Sequence, residues 1–189
     1  LAQYGIVVGS HILQINDIKE ERFNPMGVSD KALAELHAKK FAVMNDAVGE
    51  KMQERILQAK NELNSVGGVI EAIALHLPAG IGAPYFDSVE SMLSHALFSV
   101  PAVKGVEFGD GFGFAGLTGA EANDALHYSD GRVQALTNHN GGVTGGITNG
   151  MPLVVRVAIK PTPSIAREQQ TVSLKEQADT TLAIVGRHD

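Results

Sequence analysis

A mixed α/β (α+β) fold, with antiparallel sheets packed on helices, is the fold class this sequence predicts. Three observations carry the expectation. Strand-like and helix-like segments alternate along the 189 residues. Two of the helical segments have one-sided apolar stripes, which must be buried against another layer. The connections are rich in glycine, 21 in all, and glycine turns suit antiparallel neighbours.

Taken in order, residues 3–15 read as a strand, because Tyr4, Ile6, Val7, Val8, Ile12, Leu13 and Ile15 are β-prone in a partly alternating pattern. Asn16 to Met26 is polar and contains Asn24-Pro25, a connection. A short helix is expected over 30–42, with Leu33, Leu36 and Phe41 as its large apolar members. The next helix is clearer: Val48, Met52, Ile56, Ala59 and Leu63 share one face, and Glu50, Lys51, Glu54, Arg55 and Lys60 take the other. Val66-Gly67-Gly68 ends it, and 69–75 follows as a strand, in which Glu71 is either buried and paired or, as the preferred reading, facing solvent. After a Gly/Pro loop from Pro78 to Pro84, Asp87 or Ser88 caps a helix expected to carry Val89, Met92, Leu93, Ala96, Leu97 and Val100. Pro101 is expected to stop it. Val103 to Phe108 is a short strand. Thr118-x-x-Glu121 is a capping box that predicts a short helix near 122–127. Met151 to Ile159 is the strongest strand, with Leu153, Val155, Val157 and Ile159 facing one way and Val154, Arg156 and Ala158 the other. A last strand is expected over 180–185. The whole chain, 1–189, reads as a single core, with 16–45 as a candidate insertion or mobile connection.

Composition narrows the function. A net charge of −6 argues against non-specific nucleic-acid binding. The absence of cysteine excludes disulfides, thiolate catalysis and cysteine-based zinc sites, and it fits a reducing, cytoplasmic setting. No apolar run reaches the roughly 18 residues a membrane span needs. The histidines have no metal-ligand spacing, so no metal is expected. His11, His37, His76, His95 and His127 read as packed or exposed singletons, whereas His139, directly before the glycine run, is expected to line a site. The chain starts on leucine and stops on Arg187-His188-Asp189, from which further polypeptide is expected beyond both ends.

The chemistry concentrates late in the chain. Gly141-Gly142-Val143-Thr144-Gly145-Gly146 offers backbone N–H groups without side chains in the way, a cradle for an anion or a flat cofactor, with a plain glycine turn as the bland reading. Lys160-Pro161-Thr162-Pro163-Ser164 sets two hydroxyls beside one ammonium on a stiff backbone, which lowers the entropic cost of binding. Gly111-x-Gly113-x-x-Gly116 matches a dinucleotide fingerprint literally, but its helix cap, Thr118, comes after the last glycine rather than at the turn. A nicotinamide-dependent oxidoreductase is thus a remote alternative.

Asn138 to Pro152, Lys160 to Ile165 and Gly186-Arg187-His188-Asp189 together resemble chorismate synthase, as do Val66 to Glu71 and Ala102 to Phe112. The resemblance runs in order over most of the chain. It implies an enzyme that converts 5-enolpyruvylshikimate 3-phosphate to chorismate by anti elimination of phosphate, the final step of the shikimate pathway. It also implies a β-α-β sandwich with helices packed between antiparallel sheets, reduced FMN without net redox change, a flavin reductant derived from NADPH, and a homotetramer. Residue by residue, flavin contacts map onto Pro101, Ala102, Gly145, Lys160, Pro161, Thr162, Pro163, Ser164 and Arg187. Arg187 and Asp189 would touch substrate, and Asp189 matches a family aspartate near flavin N5 that is thought to assist proton removal. The family's leading Gly-Glu-x-His-Gly motif, its two acid–base histidines and most of its phosphate-binding arginines have no counterpart here. Asn140 stands where many members have a small residue. The resemblance therefore implies about half of a member, a central core expected to be inactive alone. A folding and oligomerisation core without catalysis is the second reading.

Overall fold

The computed structural model describes residues 1–129 and 131–184, with Arg132 described by its backbone alone. A single 3-10 turn at Ala2–Tyr4 leads into β1, Val7–Ile15, and a tight turn returns the chain into β2, Ile18–Lys19. Helix α1, Asp30–His37, begins at Ser29, whose side chain accepts from the Ala32 N–H. It is shorter than the pattern predicts and stops before the Lys39–Met44 turn. Helix α2, Asp46–Asn61, is capped by Asn45, which accepts from the Ala47 and Val48 N–H groups. The stripe ends one residue early: Leu63 lies past the helix at φ 55° and is exposed. Next come β3, Gly68–Leu75, and helix α3, Val89–Phe98, capped by Ser88 rather than Asp87. Strand β4 is Val103–Phe108.

The helix expected near 122–127 is absent. The capping box does form, with Thr118 N–H and Oγ1–H both donating to Glu121 Oε2 at 2.8 Å. Only one turn follows. Asp124 is drawn to the 137–140 segment, and the β-prone residues beyond it make a hairpin of β5, Leu126–Ser129, and β6, Arg132–Ala135. A second, tighter hairpin joins β7, Val143–Thr144, to β8, Ile147–Thr148. Then come β9, Leu153–Ile159, and the exposed hairpin of β10, Gln169–Ser173, and β11, Ala178–Leu182. Strand β10 has no counterpart in the expected elements, and β11 lies slightly before the 180–185 expected.

The main sheet has the order β2-β1-β3-β9-β4, and every pairing in it is antiparallel. That excludes a parallel βαβ nucleotide unit for Gly111–Gly116, which forms a 3-10 turn. On one face, Ile73, Leu75 and Val154 pack with Leu33 and Leu36 of α1 and with Phe23. On the other, Leu153, Val155 and Val143 meet Val89, Leu93 and Leu97 of α3. Covered on both faces, β9 is buried from Leu153 through Val157. Residues 16–45 supply Phe23, Leu33, Leu36 and Val43 to the buried set.

Candidate functional site

Two groups of expected site residues are brought together by the β4–β9 pairing. Val103 stands opposite Ile159 in register. The next residues out, Ala102 and Lys160, are joined by the Lys160 N–H donating to the Ala102 carbonyl at 2.9 Å. Pro101 and Ala102 follow the end of α3, and Ala102 holds φ at 70°, a conformation costly to a residue with a Cβ. Lys160, Pro161, Thr162 and Pro163 are exposed, and Ser164 is half-buried. One ammonium and two hydroxyls on an exposed, proline-stiffened backbone are the donor set a phosphate-bearing cofactor would need. A cavity of about 450 Å³ opens beside this segment, lined by Ile56, Ala59, Leu63, Thr162 and Ser164 among others.

Gly145 is elsewhere. It forms the β7–β8 turn with Gly146, both at positive φ, as a two-residue hairpin turn requires. The Gly146 carbonyl accepts from the Val89 N–H at 3.0 Å, which places the turn at the start of α3. Pro101 and Ala102 lie past its other end, about 15 Å away along the ten residues of the helix. Arg187 and Asp189 lie outside the described residues.

The glycine run is only partly a cradle. Gly141 N–H donates to the Asn138 carbonyl, and Gly142 N–H to Asn138 Oδ1 at 2.8 Å, so neither remains for a ligand. Asn138, buried, also donates from Nδ2 to the Pro25 and Pro152 carbonyls. Asp124 anchors the same segment by accepting from His139 N–H, Asn140 N–H, Asn140 Nδ2 and Thr137 Oγ1. Burial by itself would raise the Asp124 pKa. The Asn140, His139 and Thr137 hydrogen bonds outweigh it and hold the carboxyl below its usual range. His139 Nδ1 pairs with Asp110 Oδ2 at 2.6 Å. Gly145, exposed and with open space where a Cβ would stand, is the glycine of the run most open to a ligand.

One buried constellation went unread in the sequence. His11, Glu71, Arg156 and Glu107 are direct cross-strand partners on β1, β3, β9 and β4, a row of alternating charge across the sheet. His11 Nε2 pairs with Glu71 Oε2 at 3.0 Å, and its Nδ1 with Glu20. Glu71 also accepts from the Phe23 N–H at 2.6 Å and from Arg156 Nη1 at 3.0 Å. Arg156 reaches on to Glu107 and to the Gly109 carbonyl. Glu71 is therefore fully buried, not solvent-facing. Strand alternation held the clue, since residues 71, 73 and 75 share a face and the other two are Ile73 and Leu75.

The family model for chorismate synthase matches residues 1–189. The chain is 41% identical over 189 residues to the chorismate synthase of Korarchaeum cryptofilum, covering 100% of this chain and 51% of that protein. It is 44% identical over 191 residues to that of Thermococcus gammatolerans, again covering 100% and 51%. A crystal structure of chorismate synthase superposes with a TM-score of 0.79 at 31% identity, covering 87% of this chain and 52% of the other. The chain spans about half the length of the curated relatives it matches.

Proposed function

The chain belongs to the chorismate synthase family, and from that membership we propose that it takes part in the family's reaction: loss of phosphate and a proton from 5-enolpyruvylshikimate 3-phosphate to give chorismate, in the cytoplasm. The observation that carries the site assignment is the junction of Ala102 with Lys160. Reduced FMN, when bound, would supply the transient electron density that this elimination needs, without net redox change. Pro101 and Ala102 offer a backbone surface to the flavin, while Lys160, Thr162 and Ser164 offer charge and hydroxyls to its oxygens. Arg187 and Asp189 are assigned to flavin and substrate, with Asp189 assisting proton removal. Gly145, at the other end of α3, would meet a different part of the ligand. A homotetramer and an NADPH-derived reductant belong to the same proposal.

Titration of the chain with oxidised and dithionite-reduced FMN, read by flavin fluorescence and calorimetry, tests this. Lys160→Ala should weaken binding roughly tenfold or more, the worth of one charge-assisted hydrogen bond. An unchanged affinity would remove Lys160 from the site. The second reading, a folding and assembly core, is favoured by α3: none of its residues is fully buried, and Met92 and Phe98 are more than half exposed. Light scattering decides it, because a flavin-free oligomer is the outcome that reading requires.

A further inference from the structure

Pro161 and Pro163 have no N–H, so an ordinary backbone ladder cannot hold the Lys160–Ser164 segment. The turn between α2 and β3 holds it instead. Ser65 donates its hydroxyl to the Thr162 carbonyl at 2.6 Å, across 97 residues of sequence. A Cβ on Gly67 would lie 2.6 Å from the Ile159 carbonyl oxygen and 2.9 Å from Pro161 Cδ, so the turn fits the segment only with glycine there. The Leu63 carbonyl accepts from the Arg167 N–H at 3.1 Å. The 63–67 turn thus hydrogen-bonds the segment at Thr162, approaches it closely at Pro161, and bonds the chain again at Arg167, three residues past Ser164. The 450 Å³ cavity lies between the two, with Leu63 and Ser65 on one side and Thr162 and Ser164 on the other.

We propose that the 63–67 turn is a second wall of the flavin site and that Ser65 is its positioning residue. By fixing the Thr162 carbonyl, Ser65 sets the hydroxyls of Thr162 and Ser164 before the ligand arrives, so binding does not have to order them. The proposal rests on the reading that Lys160–Ser164 meets FMN.

The test pairs FMN titration with amide hydrogen exchange on wild type, Ser65→Ala, Ser65→Thr and Lys160→Ala. In Ser65→Ala, exchange at Lys160, Ile165 and Arg167 should quicken at least tenfold while β3 and β9 amides hold their rates. FMN affinity should fall at least tenfold. Ser65→Thr, which keeps the donor, should restore both, as loss of general stability would not. Unchanged exchange in Ser65→Ala overturns the positioning role. Quickened exchange with unchanged FMN affinity, while Lys160→Ala still weakens binding, overturns the wall and leaves the flavin reading standing. No FMN binding by wild type overturns the flavin reading and the wall with it.

Discussion

Glu71→Ala should cost about 3–5 kcal/mol of folding stability, the penalty for removing one partner from a buried ion pair. For a chain of this length that is a fall in Tm of roughly 6–20 °C by calorimetry. The reason is what stays behind. Arg156 is 3% exposed and His11 is 1% exposed. Without Glu71 the imidazolium keeps only Glu20, Arg156 keeps Glu107 and the Gly109 carbonyl, and the Phe23 N–H loses its acceptor. A surface pair gives the contrast. Lys31 and Glu35, one helical turn apart and exposed, should yield no more than about 0.5 kcal/mol when Lys31 is truncated. Equal losses in the two variants would show that the row of charges across the sheet does not hold the fold.

The same row makes stability depend on pH on both sides. Burial alone would lower the His11 pKa, but the hydrogen bonds to Glu71 and Glu20 outweigh it and raise the pKa above the ordinary 6.5. That contribution is complete below 6.5 and is lost as pH rises through the raised value. Burial would raise the Glu71 pKa, and the bonds from His11, Phe23 N–H and Arg156 outweigh it and lower the pKa below the ordinary 4.5. Its contribution is complete above 4.5 and is lost as pH falls through the lowered value. Urea midpoints should therefore be highest between these ordinary values and decline toward alkaline pH. His11→Gln should abolish the alkaline decline.

How much of this could be read from the residues differs by element. Helices α2 and α3 are local and survive into the fold, α3 with its Ser88 cap, although Leu63 and Val100 fall past the helix ends and Met92 is more than half exposed. The capping box at Thr118 is also local, yet its helix does not propagate, because Asp124 gains four donors from a segment 13–16 residues away. No local signal carries that competition. The charged row is the same case at longer range. His11, Glu71, Arg156 and Glu107 look unrelated in the sequence, and only the antiparallel register makes them neighbours. Motif resemblance names both Ala102 and Lys160 as expected flavin contacts. Their junction depends on the β4–β9 pairing, and the positive φ of Ala102 is invisible in its side chain.

The glycines separate packing from ligand access, and a set of alanine variants measures the difference. Gly109 has φ 54°, and a Cβ on it would lie 1.9 Å from the His139 carbonyl oxygen and 2.6 Å from Asn140 C. Neither neighbour can yield, since Asp124 and Asn138 pin that segment. Gly109→Ala thus adds overpacking of about 1–3 kcal/mol to the left-handed backbone cost of about 1–2 kcal/mol. Gly145 has φ 62° and open space at the Cβ position, so its alanine variant bears the backbone cost alone. Gly113 has neither a positive φ nor a neighbour nearer than 3.8 Å, and alanine there should be neutral or gain about 0.4–1 kcal/mol. Chemical denaturation should rank Gly109→Ala well below Gly145→Ala, and Gly145→Ala below Gly113→Ala. If Gly145 touches the flavin, its variant should also lose FMN affinity beyond what its modest instability explains. An unchanged affinity in Gly145→Ala would remove Gly145 from the proposed flavin site and leave the Ala102–Lys160 end of α3, joined by the β4–β9 pairing, as its candidate place.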